Sequence, residues 1–167
     1  MNGAVVWFTG LPSSGKSNLA SRVNARLTAE RIPCCTLDGD TVRALLQPPP
    51  GYSSEERDAF YRTLADLALE LSRQGLVVLV PATAHRRIHR ARARESAPRF
   101  IEVWMTAPLN ECRERDAKGL YARFAAGQLH GIPGEDVSYE FPEHPDVTSH
   151  GGQDDAALSL ILQLLAS

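Results

Sequence analysis

The chain lacks the residues that would commit it to a membrane, to nucleic acid or to an oxidising compartment. Its 18 Lys and Arg face 20 Asp and Glu, a formal net charge of -2. That is not the basic excess of a protein built to hold a polyanionic strand, although a local basic pocket for a small anion stays open. Cysteine is scarce: Cys34, Cys35 and Cys112 are the only three. An odd count leaves one thiol unpaired, neighbours in a strand point to opposite faces, and no CxxC or Cys/His spacing suits zinc. Reduced thiols in a cytoplasmic protein are the simplest reading. The first apolar run, AVVWF, is too short for a signal or membrane segment, and no basic stretch precedes it. There is no internal repeat and no linker, and PPPG at 48–51 reads as a stiff turn. With 167 residues, 43% of them hydrophobic, the expectation is one well-cored domain over 1–167. Neither nucleic acid nor a membrane is expected as a partner. The oligomeric state is left open, a homodimer being one option.

Apolar runs alternate with helical patterns. AVVWFTG (4–10) reads as a buried strand, followed by a glycine loop and a helix to about Glu30. PCCTLDGD (33–40) reads as a second strand ending in two acids. The stretch 53–75 is the longest helix candidate, with Ser54 as its cap and Gly75 closing it. LVVLVPA (76–82) is a continuous apolar strand of the kind buried on both faces. A helix over 85–96, a strand over 100–106, a short helix from Pro108 to about Arg115, a short strand over 146–150 and a closing helix over 154–166 complete the pattern. The alternation predicts an α/β fold, a parallel five-stranded sheet with helices on both faces. The segment from about 116 to 145 carries four glycines without strong periodicity, and a stretch that long is expected to be a lid.

FTGLPSSGKS (8–17) fits G-x-x-x-x-G-K-[ST] at Gly10, Gly15, Lys16 and Ser17, with a strand before it and a helix after. The loop residues Gly10, Leu11, Pro12, Ser13, Ser14, Gly15, Lys16 and Ser17 turn their backbone N–H groups, proline excepted, toward phosphates, and the helix N-terminus adds partial positive charge. Lys16 would bridge the β- and γ-phosphates and the Ser17 hydroxyl would ligate Mg²⁺, so ATP and magnesium are the expected ligands. No N/T-K-x-D guanine signature is present, which disfavours a GTPase. The third strand ends without an acid. Asp38 and Asp40, at the end of the neighbouring strand, can supply that charge, because ligands of an open parallel sheet lie beyond its strand ends; an Asp-Gly turn is the plainer alternative. Arg43 and Arg57 suit an anionic acceptor, and Tyr52 could stack on a base. Arg86, Arg90 and Arg94 share one helical face, for which a solvated basic face is the simpler account. His85 and Arg86, just past a strand end, stand apart from that account.

Several segments together resemble the adenylylsulfate kinase family: GLPSSGKS, LDGDTVR, GYSSEERD, FIEVWMTAPLNECRERDAKGLYARFAAG and GEDVSYEFPEHPDV. The resemblance implies a P-loop, nucleotide kinase-like fold with a lid. It also implies phosphorylation of the 3′-hydroxyl of adenosine 5′-phosphosulfate (APS). By position it makes Asp40 the acid beside the accepting hydroxyl, with Asp38 supporting loop and metal. Arg43 and Arg57 become contacts to the phosphosulfate, Tyr52 an adenine-stacking aromatic, and Lys118 a lid lysine near the transferring phosphates. Three places depart from the family pattern. Phe60 stands where an asparagine is usual and Thr63 where an arginine is usual, PATAH replaces a Ser-Phe-Ile-Ser-Pro segment, and Ile132 occupies the place of a second adenine-stacking aromatic. All three fall in the acceptor half, so an acceptor other than APS, or nucleotide binding without catalysis, remains an alternative on the residues alone.

Overall fold

The computed structural model describes residues 3–167. Strands β1 (Ala4–Thr9), β2 (Cys34–Thr36), β3 (Val77–Pro81), β4 (Phe100–Met105) and β5 (Val147–Ser149) form one sheet in the order β2-β3-β1-β4-β5. Every pairing in it is parallel. The helices are α1 (Lys16–Ala29), α2 (Gly39–Leu45), α3 (Ser54–Arg73), α4 (Arg87–Ser96), α5 (Leu109–Arg115), α6 (Leu120–Ala125) and α7 (Asp155–Ala166).

The central strand shows why the sheet needs two helical layers. Side chains alternate along a strand, and all six residues of β1 are buried. Ala4, Val6 and Phe8 pack on one side against Leu19 and Val23 of α1 and Ile161 of α7. Val5 and Trp7 pack on the other side against Leu64 and Ala68 of α3 and Ala93 of α4. The indole N–H of Trp7 donates to the Ala82 carbonyl at 3.2 Å, so this fully buried ring leaves no orphan donor. The connection after β1 therefore leaves to one face and that after β3 to the other. Adjacent strands that part in this way open a crevice at their C-terminal ends, where an α/β sheet binds its ligands.

The expected elements form, with shifted ends and two additions. Helix α3 is capped by Ser53 rather than Ser54. The Ser53 hydroxyl accepts from the Glu56 N–H at 3.2 Å, and the Glu56 carboxylate accepts from the Ser53 N–H at 3.0 Å. Of two consecutive serines, only Ser53 has a glutamate three residues on, and that spacing selects it. The two acids expected at a strand end lie instead at the start of α2, whose N-cap is Asp38. Asp38 caps α2 by accepting from the Asp40 N–H at 3.0 Å and the Thr41 N–H at 3.2 Å. Helix α6 was not anticipated either.

The solvated basic face expected on α4 is not what forms. Arg90 is only 2% exposed, and its Nε donates to Glu102 on β4 at 2.7 Å. Arg94 donates to Glu102 at 2.9 Å and to Asp146 at 3.1 Å. Arg86 donates to both oxygens of Asp58, at 2.9 and 3.0 Å. The signal for this network was Glu102 itself, a carboxylate in the apolar run FIEVWM. A charge in a covered strand must find partners, because an unpaired buried charge costs several kcal/mol.

Candidate active site

The loop after β1 turns back on itself through Gly15, whose φ of +96° is left-handed. A Cβ there would lie 2.5 Å from the Gly152 nitrogen, so conformation and close approach both require glycine. Lys16 folds over the loop, and its ammonium donates to the carbonyls of Gly10 at 3.0 Å and Leu11 at 2.8 Å. Burial, followed by the nearby Lys118 charge, pushes its pKa down to about 8. An ammonium so depressed is poised for an anionic partner.

Asp38 links this loop to the neighbouring strand end. One of its oxygens caps α2, and the other accepts from the Ser17 hydroxyl at 2.8 Å. Asp40, one turn-position on, is ion-paired with Lys118. Lys118 comes from the 116–145 segment, which lies across the site and is tied down at several points. The Ala117 N–H donates to Ser13 Oγ at 3.2 Å and the Tyr121 hydroxyl to the Pro12 carbonyl at 2.8 Å. Arg57 donates to the Gly131 carbonyl. At the far end, Tyr139 and Thr9 share a hydroxyl hydrogen bond at 2.8 Å, and the Glu140 N–H donates to the His85 carbonyl at 2.7 Å.

These elements enclose a cavity of about 910 Å³ lined by residues of both halves. Pro12, Ser13, Gly15, Lys16, Ser17, Asp38, Asp40 and Lys118 form the phosphate side, and Arg43, Tyr52, Arg57, Phe60 and Ile132 form the other. Three residues of the expected binding loop do not line it. Gly10 and Leu11 act through the carbonyls that hold Lys16, and Ser14 is fully buried beneath the loop.

On the acceptor side, Arg43 is flanked by two rings, its guanidinium carbon 4.5 Å from the Tyr52 centroid and 4.0 Å from that of Phe60. It also donates to the Gly51 carbonyl at 2.8 Å. Arg57 lies 5.5 Å from the Tyr52 centroid. Tyr52, which the resemblance assigns to base stacking, is exposed and lies beside both guanidiniums, and Arg43 also stacks on Phe60. Ile132 is 5% exposed; it packs with Tyr121 and Cys112 and anchors the lid segment as well as lining the cavity. The sequence reading missed Tyr61, Thr83, Arg115 and the His150–Asp154 turn among the lining residues. The paired glycines at Gly151 and Gly152 were the available signal: a Cβ on Gly152 would meet the Asn18 side chain at 2.6 Å.

Ser17 and Asp38 offer hard oxygen donors, which suit Mg²⁺. No cluster of three or more His, Cys, Asp or Glu that could hold a metal is found among the described residues.

A parallel sheet with a phosphate-binding loop, a neighbouring acidic helix start and a segment folded over both defines a P-loop kinase fold. Comparison with known proteins narrows the class. The family model for adenylylsulphate kinase matches residues 2–150, and the chain belongs to that family. It is 39% identical over 167 residues to an adenylyl-sulfate kinase from Synechococcus sp. strain JA-3-3Ab, covering 99% of this chain and 95% of that one. It is 41% identical over 165 residues to an adenylyl-sulfate kinase from Citrobacter koseri, covering 98% and 81%. Among solved structures, it superposes on the Mycobacterium tuberculosis APS kinase CysC in complex with AMPPNP and APS. The TM-score is 0.91, with 37% identity over 99% of each chain.

Proposed function

We propose that this protein is an adenylyl-sulfate kinase that transfers the γ-phosphoryl group of ATP to the 3′-hydroxyl of APS. The observation that carries the reading is one cavity lined at once by Lys16, Ser17 and Asp40 and by Arg43 and Arg57. A donor cradle, an acid and a cationic acceptor pocket thus share one enclosed space.

In this reading residues 1–167 form a single catalytic unit and 116–145 its lid. The triphosphate lies on the loop from Gly10 to Ser17, and Lys16 exchanges its two carbonyl partners for phosphate oxygens. Ser17, with Asp38 behind it, would hold magnesium, which would neutralise phosphate charge. Asp40 releases Lys118 and takes the acceptor hydroxyl instead. The hydroxyl oxygen bonds to the γ-phosphorus as the bond from that phosphorus to the β–γ bridging oxygen breaks. Asp40 receives the hydroxyl proton, and ADP leaves. Lys118, freed from Asp40, neutralises charge on the transferring group. The protein's contribution is positioning and charge stabilisation in a space closed to water.

No described helix is long and apolar enough to cross a membrane, and all three cysteines are free. Both features suit a cytoplasmic enzyme of sulfate assimilation.

The test is ADP release measured against a panel of acceptors with ATP and Mg²⁺. APS is expected to stimulate release strongly over the acceptor-free rate, which the lid keeps slow. Stimulation by another nucleotide but not by APS would overturn the assignment.

A further inference from the structure

His85 stands in the acceptor half of the cavity, in the segment that departs from the family pattern. It lines the cavity while only 7% exposed. No hydrogen bond ties its ring to the protein among the described residues. Its neighbour His89 is different. His89 Nε2 contacts Asp58 Oδ1 at 2.7 Å, and its Nδ1 accepts from the Arg86 N–H at 3.4 Å. One histidine of the pair is satisfied internally and the other is left free, facing the cavity.

The ring is held in place without using its nitrogens. It packs edge-on against His89, with centroids 5.0 Å apart, and against Tyr61 at 6.5 Å. Its carbonyl accepts from the Glu140 N–H at 2.7 Å. The preceding residue, Ala84, has a φ of +43°, a left-handed conformation costly for any residue but glycine, and the buried Arg90 donates to its carbonyl. A strained residue held by a buried arginine, just before an unpartnered cavity side chain, is the pattern of a preorganised contact. Burial, then the neighbouring His89 and the charges of Arg57 and Arg86, push the His85 pKa down to about 4. At neutral pH the imidazole therefore offers one N–H and one lone pair.

We propose that His85 is a specificity-determining binding residue that hydrogen-bonds, through a ring N–H, to an oxygen of the acceptor's anionic group beside Arg57. The placement rests on the reading of the cavity as a site for an anionic nucleotide acceptor. Phe60, stacked on Arg43, offers no donor in that half, since a phenyl ring has none. An oxygen that only accepts suits a fixed N–H, and one hydrogen bond to a charged group is worth about ten- to a hundredfold in affinity.

The experiment compares wild type, His85→Ala and His85→Gln, the last retaining an N–H donor. APS binding to the ADP- and Mg²⁺-loaded protein is measured by calorimetry, turnover is measured as KM and kcat for each substrate, and His ring nitrogens are followed by NMR. His85→Ala is expected to weaken APS binding about ten- to a hundredfold, to raise KM for APS similarly and to leave KM for ATP unchanged. His85→Gln is expected to recover much of the loss. The His85 ring signals are expected to move on adding APS but not on adding adenosine, which lacks the anionic group. Unchanged APS affinity in His85→Ala, or ring signals that ignore APS, overturns the proposal. Equal shifts with adenosine and APS overturn it too, by moving the contact to the nucleoside. Should wild type bind APS in a His85-dependent way without turning it over, the kinase reading fails and this one stands. A wild type that neither binds nor turns over APS removes both. If His85→Ala does not fold, the His85→Gln titration and the wild-type NMR shifts decide.

Discussion

Replacing Glu102 by alanine tests the buried ion network and its hold on the acceptor loop. Glu102 is 7% exposed and accepts from Arg90 at 2.7 Å and from Arg94 at 2.9 Å. Arg94 keeps Asp146 and is half-exposed, so water can repair its loss. Arg90 is 2% exposed and would keep only carbonyl partners, including those of Ala84 and Glu140. Breaking one partner of a buried pair costs about 3–5 kcal/mol. At roughly 2–4 °C per kcal/mol for a chain of this size, Tm should fall by roughly 6–20 °C. Combining Glu102→Ala with Arg90→Met removes the uncompensated charge and should recover part of the loss. The assay is urea unfolding and thermal melting of the four corners of the mutant cycle. Because Arg90 also fixes the Ala84 carbonyl, KM for the acceptor should rise in Glu102→Ala while KM for ATP holds. A loss below about 1 kcal/mol, in the range of an exposed ion pair, would show that water reaches Arg90 and that the network is not buried in solution.

Lys16→Ala should lower kcat by about 10²–10³, the scale of one lost electrostatic stabiliser, with Tm little changed; full turnover in the variant would remove Lys16 from phosphate contact. With its pKa at about 8 in the free protein, Lys16 is partly neutral above that pH. A bound triphosphate raises the pKa, so ATP binding should take up protons at pH 8.5 but not at 6.5, and affinity should fall as pH climbs through 8; calorimetry in buffers of different ionisation enthalpy reads this directly. His85, at about 4 against an ordinary 6.5, and His89, also lowered, bind protons in the unfolded chain before the folded one. Stability should therefore drop as pH falls from about 6.5 towards 4, and less steeply in His85→Gln, as followed by urea midpoints. Gly15→Ala should abolish nucleotide binding in a fluorescent-nucleotide titration, since its φ and the 2.5 Å approach to Gly152 leave no room for a Cβ.

The donor half was legible because its physics is local. Eight consecutive residues specify the turn, the charge and the helix start, and the strand before them announces itself by continuous apolarity. The acceptor half depends on residues brought together from α2, α3, the β3–α4 loop and the lid, and no periodicity reports that meeting. Arg90 shows the limit well. On a helical wheel it belongs to a basic stripe, and only Glu102, twelve residues away across the sheet layer, makes it a core residue. Phe60 likewise reads as a lost polar contact in one dimension and becomes an arginine platform in three. Short capped elements such as α2 were hidden because Asp-Gly-Asp serves a turn and a helix start equally well.

Asp38 carries one further implication. A single carboxylate fastens the hydroxyl of Ser17 with one oxygen and starts the helix bearing Asp40 with the other. In the proposed reaction, that one side chain would tie the Ser17 end of the site to the Asp40 end. Lengthening it by a methylene, as in Asp38→Glu, would preserve charge and shape yet mis-gauge the gap across which phosphorus must travel.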